Sequence, residues 1–165
     1  MFQFISVLVI AVLVAADRIT KSIICKTVMV NGPVKFFSGL FQLRYVENTG
    51  AAFSSFSENT LILSVFTVLV IILCLFVLLT KKVKSKFACA ALMLIIAGGI
   101  GNVIDRIANG FVVDFIEPLF MNFAVFNFAD ICITVGAFMI IGFEIKELIA
   151  EKKKTSKPGE KNEND

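Results

Sequence analysis

The chain has 165 residues, of which 58% are hydrophobic and 18% charged, and 16 Lys and Arg against 13 Asp and Glu leave a net charge of +3. With a mean hydropathy of +0.89 it is too apolar for an ordinary soluble domain, and the sequence predicts an all-α polytopic membrane protein. It has no histidine, which excludes Ser-His-Asp and Cys-His catalysis and removes the commonest nitrogen ligand of metals.

A hydrocarbon core needs about 20 apolar residues per helix, and four stretches qualify: residues 2–24, 59–80, 87–106 and 123–144. Together they make one four-helix domain over residues 1–150. Within the first, Val14-Ala15-Ala16 has the small residues of a signal-peptide cleavage site, but no basic segment precedes it, so it reads as a retained span. Asp17 and Lys21 stand four apart, acid before base, the order that favours pairing on one helix face. Residues 27–56 read as a small extracytoplasmic β-sheet segment: Asn31-Gly32-Pro33 signals a turn, and Phe41-Gln42-Leu43-Arg44-Tyr45 alternates as a half-buried strand does. The Phe36-Phe37 pair there suits either contact with lipid headgroups or the core of the small sheet.

Between the second and third spans lie Lys81, Lys82, Lys84 and Lys86, and beyond the fourth lie Lys152, Lys153, Lys154, Lys157 and Lys161. Basic residues mark cytoplasmic ends, so both termini are expected in the cytoplasm and residues 22–58 and 106–122 outside. This placement accounts for the lysines without a nucleic-acid partner. Residues 151–165, polar and Lys-rich, are expected to form a disordered cytoplasmic tail. Cys25, Cys74, Cys89 and Cys132 are too widely spaced for a CxxC site, and no metal is expected.

With this threading Asp17, Asn48, Asn102, Asp105, Arg106, Asp114, Asn127 and Asp130 all fall in one outer layer. An Asp at a helix centre costs about 2.5–3.5 kcal/mol to insert and is functional by default. Asp130 follows Phe126-Asn127-Phe128-Ala129, and Asp114 sits within Phe111-Val112-Val113-Asp114-Phe115-Ile116; neither has a basic neighbour in sequence. Singly, Asp130 could favour a helix N-terminus and Asp114 could be a loop residue. Together they suggest a dyad sharing one proton, in which the ionised member activates water and the protonated one hydrogen-bonds to the carbonyl under attack.

Five blocks in order resemble the lipoprotein signal peptidase (signal peptidase II) family: Asp17-Arg18-Ile19-Thr20-Lys21, Val46-Glu47-Asn48-Thr49-Gly50-Ala51-Ala52-Phe53, Gly98-Gly99-Ile100-Gly101-Asn102-Val103-Ile104-Asp105-Arg106, Val112-Val113-Asp114-Phe115 and Phe126-Asn127-Phe128-Ala129-Asp130. The resemblance implies an aspartic endopeptidase of the bacterial inner membrane, without cofactor, with Asp114 and Asp130 catalytic near the outer face. Its substrates would be prolipoproteins carrying a diacylglyceryl cysteine, and its other partners membrane lipids; the chain is expected to act as a monomer. Asn48, Asn102, Arg106 and Asn127 are expected to bind substrate or orient the dyad. Asp17, Lys21, Gly50 and Asp105 are expected to give structural support.

Two other classes make different demands on the sequence. A proton-coupled small transporter subunit would carry polar residues to the midplane, whereas residues 65–79 and 133–141 are almost wholly apolar. A non-enzymatic membrane assembly factor would tolerate Asp→Asn far better than a dyad does.

Overall fold

The structure, a computed structural model, describes residues 2–50, 60–80, 83 and 85–155. It contains four helices long and apolar enough to cross a membrane: α1 (Phe2–Lys26), which leads into the single-turn α2 (Val28–Asn31), then α3 (Thr60–Leu79), α4 (Lys86–Asn109) and α5 (Phe128–Thr155). Three antiparallel strands, β1 (Val34–Phe36), β2 (Phe41–Asn48) and β3 (Val112–Pro118), form a sheet in the order β1-β2-β3. The expected architecture of four apolar helices and a small sheet is the one observed.

The most buried of the four long helices is α4, which packs against α1, α3 and α5. The Ser85 hydroxyl caps its start by accepting the Ala88 N–H at 3.3 Å, and Gly110, at φ 83°, closes its end by donating its N–H to Arg106 O at 3.0 Å. Glycines bring α4 and α5 backbone to backbone. A Cβ on Gly98 would overlap the Ala129 carbonyl oxygen, and one on Gly136 would stand 2.7 Å from Ala91 O. This close approach places Asn102 beside the first turn of α5. Along the spans Ile10, Ile71, Leu78, Leu92, Ile96 and Val103 form the apolar core. A second cluster of Ile24, Val28, Val113 and Phe115 seats the sheet on the end of α1.

Three boundaries depart from expectation. The third helix runs to Asn109, stopping only where Gly110 supplies the left-handed cap. The fourth begins at Phe128 instead of residue 123, because Phe126 still pairs in extended form with Ile116 and Asn127 is the cap. It then continues to Thr155, into the segment expected to be a disordered tail; Glu147, Ala150, Glu151, Lys152 and Lys153 are good helix formers, and the lysines suit a C-terminal end. Residues 156–165 lie outside the described residues, as do Ala51, Ala52, Phe53, Lys81, Lys82 and Lys84. Strand β3 replaces the loop considered for Asp114. Val112, Val113, Asp114 and Phe115 are all buried, so its two faces are both covered and no polar alternation announces it.

Candidate active site

Asp114 enters the site from β3, opposite Val46 in the β2–β3 ladder. Its side chain is 1% exposed, and each oxygen accepts one amide: Oδ2 from Asn48 Nδ2 at 2.7 Å and Oδ1 from Asn127 Nδ2 at 2.6 Å. Asn48 is itself fixed at the end of β2, where its Oδ1 accepts the Gly50 N–H at 3.0 Å.

Asp130 enters from the first turn of α5, where it forms a reciprocal cap with Asn127. The Asn127 N–H donates to Asp130 Oδ2, and the Asp130 N–H donates to Asn127 Oδ1, both at 3.0 Å. The remaining oxygen, Oδ1, accepts Asn102 Nδ2 at 2.8 Å. Asn127 thus holds both carboxyls, Asp114 through its side-chain amide and Asp130 through its backbone N–H. The capping role considered for Asp130 is real, yet it occupies one oxygen only.

Behind the pair lies an ion cluster on α1 and α4. Lys21 Nζ meets Asp17 Oδ2 at 2.9 Å, Asp105 Oδ2 at 2.8 Å and Asn102 Oδ1 at 3.2 Å, which uses its three N–H groups. Asp105 also accepts from Arg18 and, at 3.2 Å, from the Val113 N–H, which ties the end of α4 to the strand carrying Asp114. Asp17 Oδ1 accepts the Ala129 N–H at 3.2 Å. A Cβ at Gly101 would lie 2.5 Å from Asp17 Oδ2, so this position must be glycine for the carboxylate to fit.

Electrostatics follow from burial. Desolvation, and then the neighbouring charge of Asp130, push the Asp114 carboxyl up to about 7. Asp17, Asp105, Asp114 and Asp130 face Lys21, Arg18 and Arg106, four carboxyls against three cations. One proton held on the Asp114–Asp130 pair therefore brings the whole cluster to neutrality.

A cavity of about 440 Å³ opens onto this pair. Its polar wall includes Asn48, Gly50, Arg106, Asp114 and Asp130, and its apolar wall includes Phe123, Val125, Ile131 and Val135. Arg106 Nε is buried with no hydrogen-bond partner among the described residues, which leaves a donor at the cavity.

Asn48, Asn102 and Asn127 thus lie on the carboxyls, Arg106 and Gly50 on the cavity, and Asp17, Lys21 and Asp105 in the supporting cluster. Sequence reasoning missed the role of Arg18 and the wall formed by Ile131, Thr134 and Val135. The wall had a signal, because Thr134 and Val135 lie one helical turn beyond Asp130 and Ile131 and so share their face.

The family described as signal peptidase (SPase) II matches the chain over residues 9–146. The chain is 40% identical over 129 residues to a lipoprotein signal peptidase of Streptococcus thermophilus strain CNRZ 1066, covering 78% of this chain and 84% of the relative. It is 39% identical over 136 residues to that of Lactococcus lactis subsp. cremoris strain SK11, covering 82% and 90%. A solved bacterial membrane enzyme, determined by the in meso method at 2.3 Å, superposes with a TM-score of 0.79 at 30% identity, covering 99% of this chain and 97% of that one. With four membrane-crossing helices and matches along nearly its whole length, the chain belongs to the signal peptidase II family, bacterial multi-pass membrane proteases.

Proposed function

We propose that the chain is an aspartic endopeptidase that removes the signal peptide from prolipoproteins carrying a diacylglyceryl cysteine, with Asp114 and Asp130 as its catalytic residues. The observation that carries this reading is a pair of carboxyls on the wall of one cavity, Asp114 held by the Asn127 side-chain amide and Asp130 by the Asn127 backbone N–H. The pair shares one proton, and Asp114, the more deeply buried carboxyl, carries it at rest.

In the reaction the ionised Asp130 takes a proton from water as the oxygen attacks the scissile carbonyl carbon, while the Asp114 O–H hydrogen-bonds to the carbonyl oxygen and stabilises its growing charge. The proton gained by Asp130 then passes to the leaving nitrogen as the C–N bond breaks. Water is consumed and the pair keeps one proton. Arg106, on the cavity wall, supplies a guanidinium donor for a substrate backbone carbonyl, and Asn48 and Asn102 hold the two carboxyls in place. The apolar wall of Ile131 and Val135 runs down α5 away from the sheet, where a signal helix could lie with one side in lipid.

Orientation follows from the lysines. Lys86 begins α4 and Lys152 lies near the end of α5, both remote from Asp114, which supports cytoplasmic termini and a site at the outer face. The enzyme acts as a monomer in contact with membrane lipids.

The test is cleavage of a diacylglyceryl-modified prolipoprotein by purified wild type, Asp114→Asn and Asp130→Asn in detergent. Wild type should cut, and each folded variant should lose about a hundredfold or more in kcat. An inert wild type, or near-normal turnover by either variant, would replace this reading with the assembly-factor one.

A further inference from the structure

Lys21 is 1% exposed and lies outside the cavity, yet its three hydrogens all have fixed acceptors. If its role were only to pack α1 against α4, an apolar side chain of similar length would serve as well, since replacing a buried ion pair by hydrophobes is often neutral or stabilising. What an apolar residue cannot do is hold the Asn102 amide. Asn102 Oδ1 accepts from Lys21 Nζ at 3.2 Å and from Asn127 Nδ2 at 3.1 Å, so both donors address one oxygen and the amide has one orientation. That orientation turns Nδ2 onto Asp130 Oδ1 at 2.8 Å. The same contact with Asn127 leaves its second N–H for Asp114 at 2.6 Å.

We propose that Lys21 is a positioning residue for the aspartate pair: through Asn102 it orients the amides that hold both carboxyls, and its buried charge sets the pH range over which the pair keeps a single proton. This inference rests on the dyad reading above. The charged and titratable groups around the pair come from every element packed there: Asp17, Arg18, Lys21 and Cys25 on α1, Tyr45 and the exposed Glu47 on β2, Asp105 and Arg106 on α4, Asp114 on β3, and Asp130 and Cys132 on α5. Among them Lys21 has its own electrostatic effect on Asp114, favouring the ionised form, whereas burial and Asp130 favour the protonated one. Removing the Lys21 charge makes the Asp114 carboxylate harder to form, so the basic limb of a bell-shaped activity profile should move to higher pH.

The experiment measures kcat, KM and the pH profile of prolipoprotein cleavage for wild type, Lys21→Met, the double variant Asp17→Asn/Lys21→Met, and Asp114→Asn, with thermal unfolding of each in the same detergent. The double variant removes Lys21 together with the Asp17 carboxylate at 2.9 Å and leaves Asp105 paired with Arg18, so it should fold even if Lys21→Met alone strands Asp17. The expected result is kcat lower by about tenfold or more with KM within about threefold in both folded Lys21 variants, and in Lys21→Met, which loses one positive charge, a basic limb moved to higher pH. A folded double variant with wild-type kcat would overturn the inference and leave Lys21 a packing residue. Asp114→Asn separates the two readings: if it stays active the dyad itself falls, and if it is dead while the Lys21 limbs stay put, only the role of Lys21 falls.

Discussion

Asp114 makes a pH-dependent contribution whose sign is fixed by its burial. Its carboxyl titrates near 7 in the fold against 3.8 ordinarily, so the folded chain binds the extra proton and stability is greatest at low pH. Between about pH 4 and 7 stability should fall by up to about 1.4 kcal/mol per pH unit, then level off. Thermal unfolding in detergent from pH 4 to 8 should show this slope in wild type and lose it in Asp114→Asn; equal slopes would place the titration elsewhere. Asn127 has two roles that substitution can separate. Asn127→Ser keeps an N-cap and should leave the melting temperature near wild type, but its hydroxyl is too short to reach Asp114, so kcat should fall about tenfold or more. Asn127→Ala should lose about 1 kcal/mol of stability besides. If serine restores both properties, the amide bridge has no part in the reaction. Both carboxyls were legible in the sequence because each is a lone acid in an apolar run. Their asparagine bridge was less so, although Asn127 and Asp130 stand at the spacing of a reciprocal cap.

At the scale of elements, the site depends on how closely α4 approaches α5. Gly98 and Gly136 set that distance, and Asn102 sits one turn past Gly98 on α4, facing Asp130. Gly98→Val would drive a side chain into the Ala129 carbonyl, the residue just before Asp130. It should cost about 1–3 kcal/mol of stability, and it should reduce cleavage even at temperatures where the variant is fully folded, because the Asn102–Asp130 contact opens. Circular dichroism melts beside cleavage rates check both parts; a folded variant with full activity would mean that the interhelical distance is not critical. The four spans were plain from apolar length alone, and β2 from its alternation. Strand β3 was hidden, since Asp114 interrupts a run buried on both faces and the Leu43–Val46 irregularity in its partner could not be foreseen locally. The start of α5 was also misplaced, because Phe123 and Phe126 are as apolar as the helix itself and serve the cavity wall and a β-bridge instead.

The whole molecule is polarised along its axis. Every carboxyl of the site, and each cation that balances it, lies at the end of the bundle where the sheet is seated, while α3 carries no Asp, Glu, Lys or Arg between Thr60 and Leu79. On the proposed dyad reading, hydrolysis needs water at one interface only, and four carboxyls and three cations with one shared proton would be buried there at less cost than an unbalanced cluster. On the proposed topology the lysines at the opposite end mark the cytoplasmic interface. Lys35 on β1 is exposed at the sheet end, and Lys152 is exposed at the far end of α5. In a variant whose four cysteines are replaced by alanine or serine, Lys35→Cys should react with a membrane-impermeant maleimide added to intact cells, and Lys152→Cys only after the membrane is opened. The reverse pattern would turn the protein over and put the cavity in the cytoplasm, where a substrate whose signal helix enters from the outer face could not present its scissile bond.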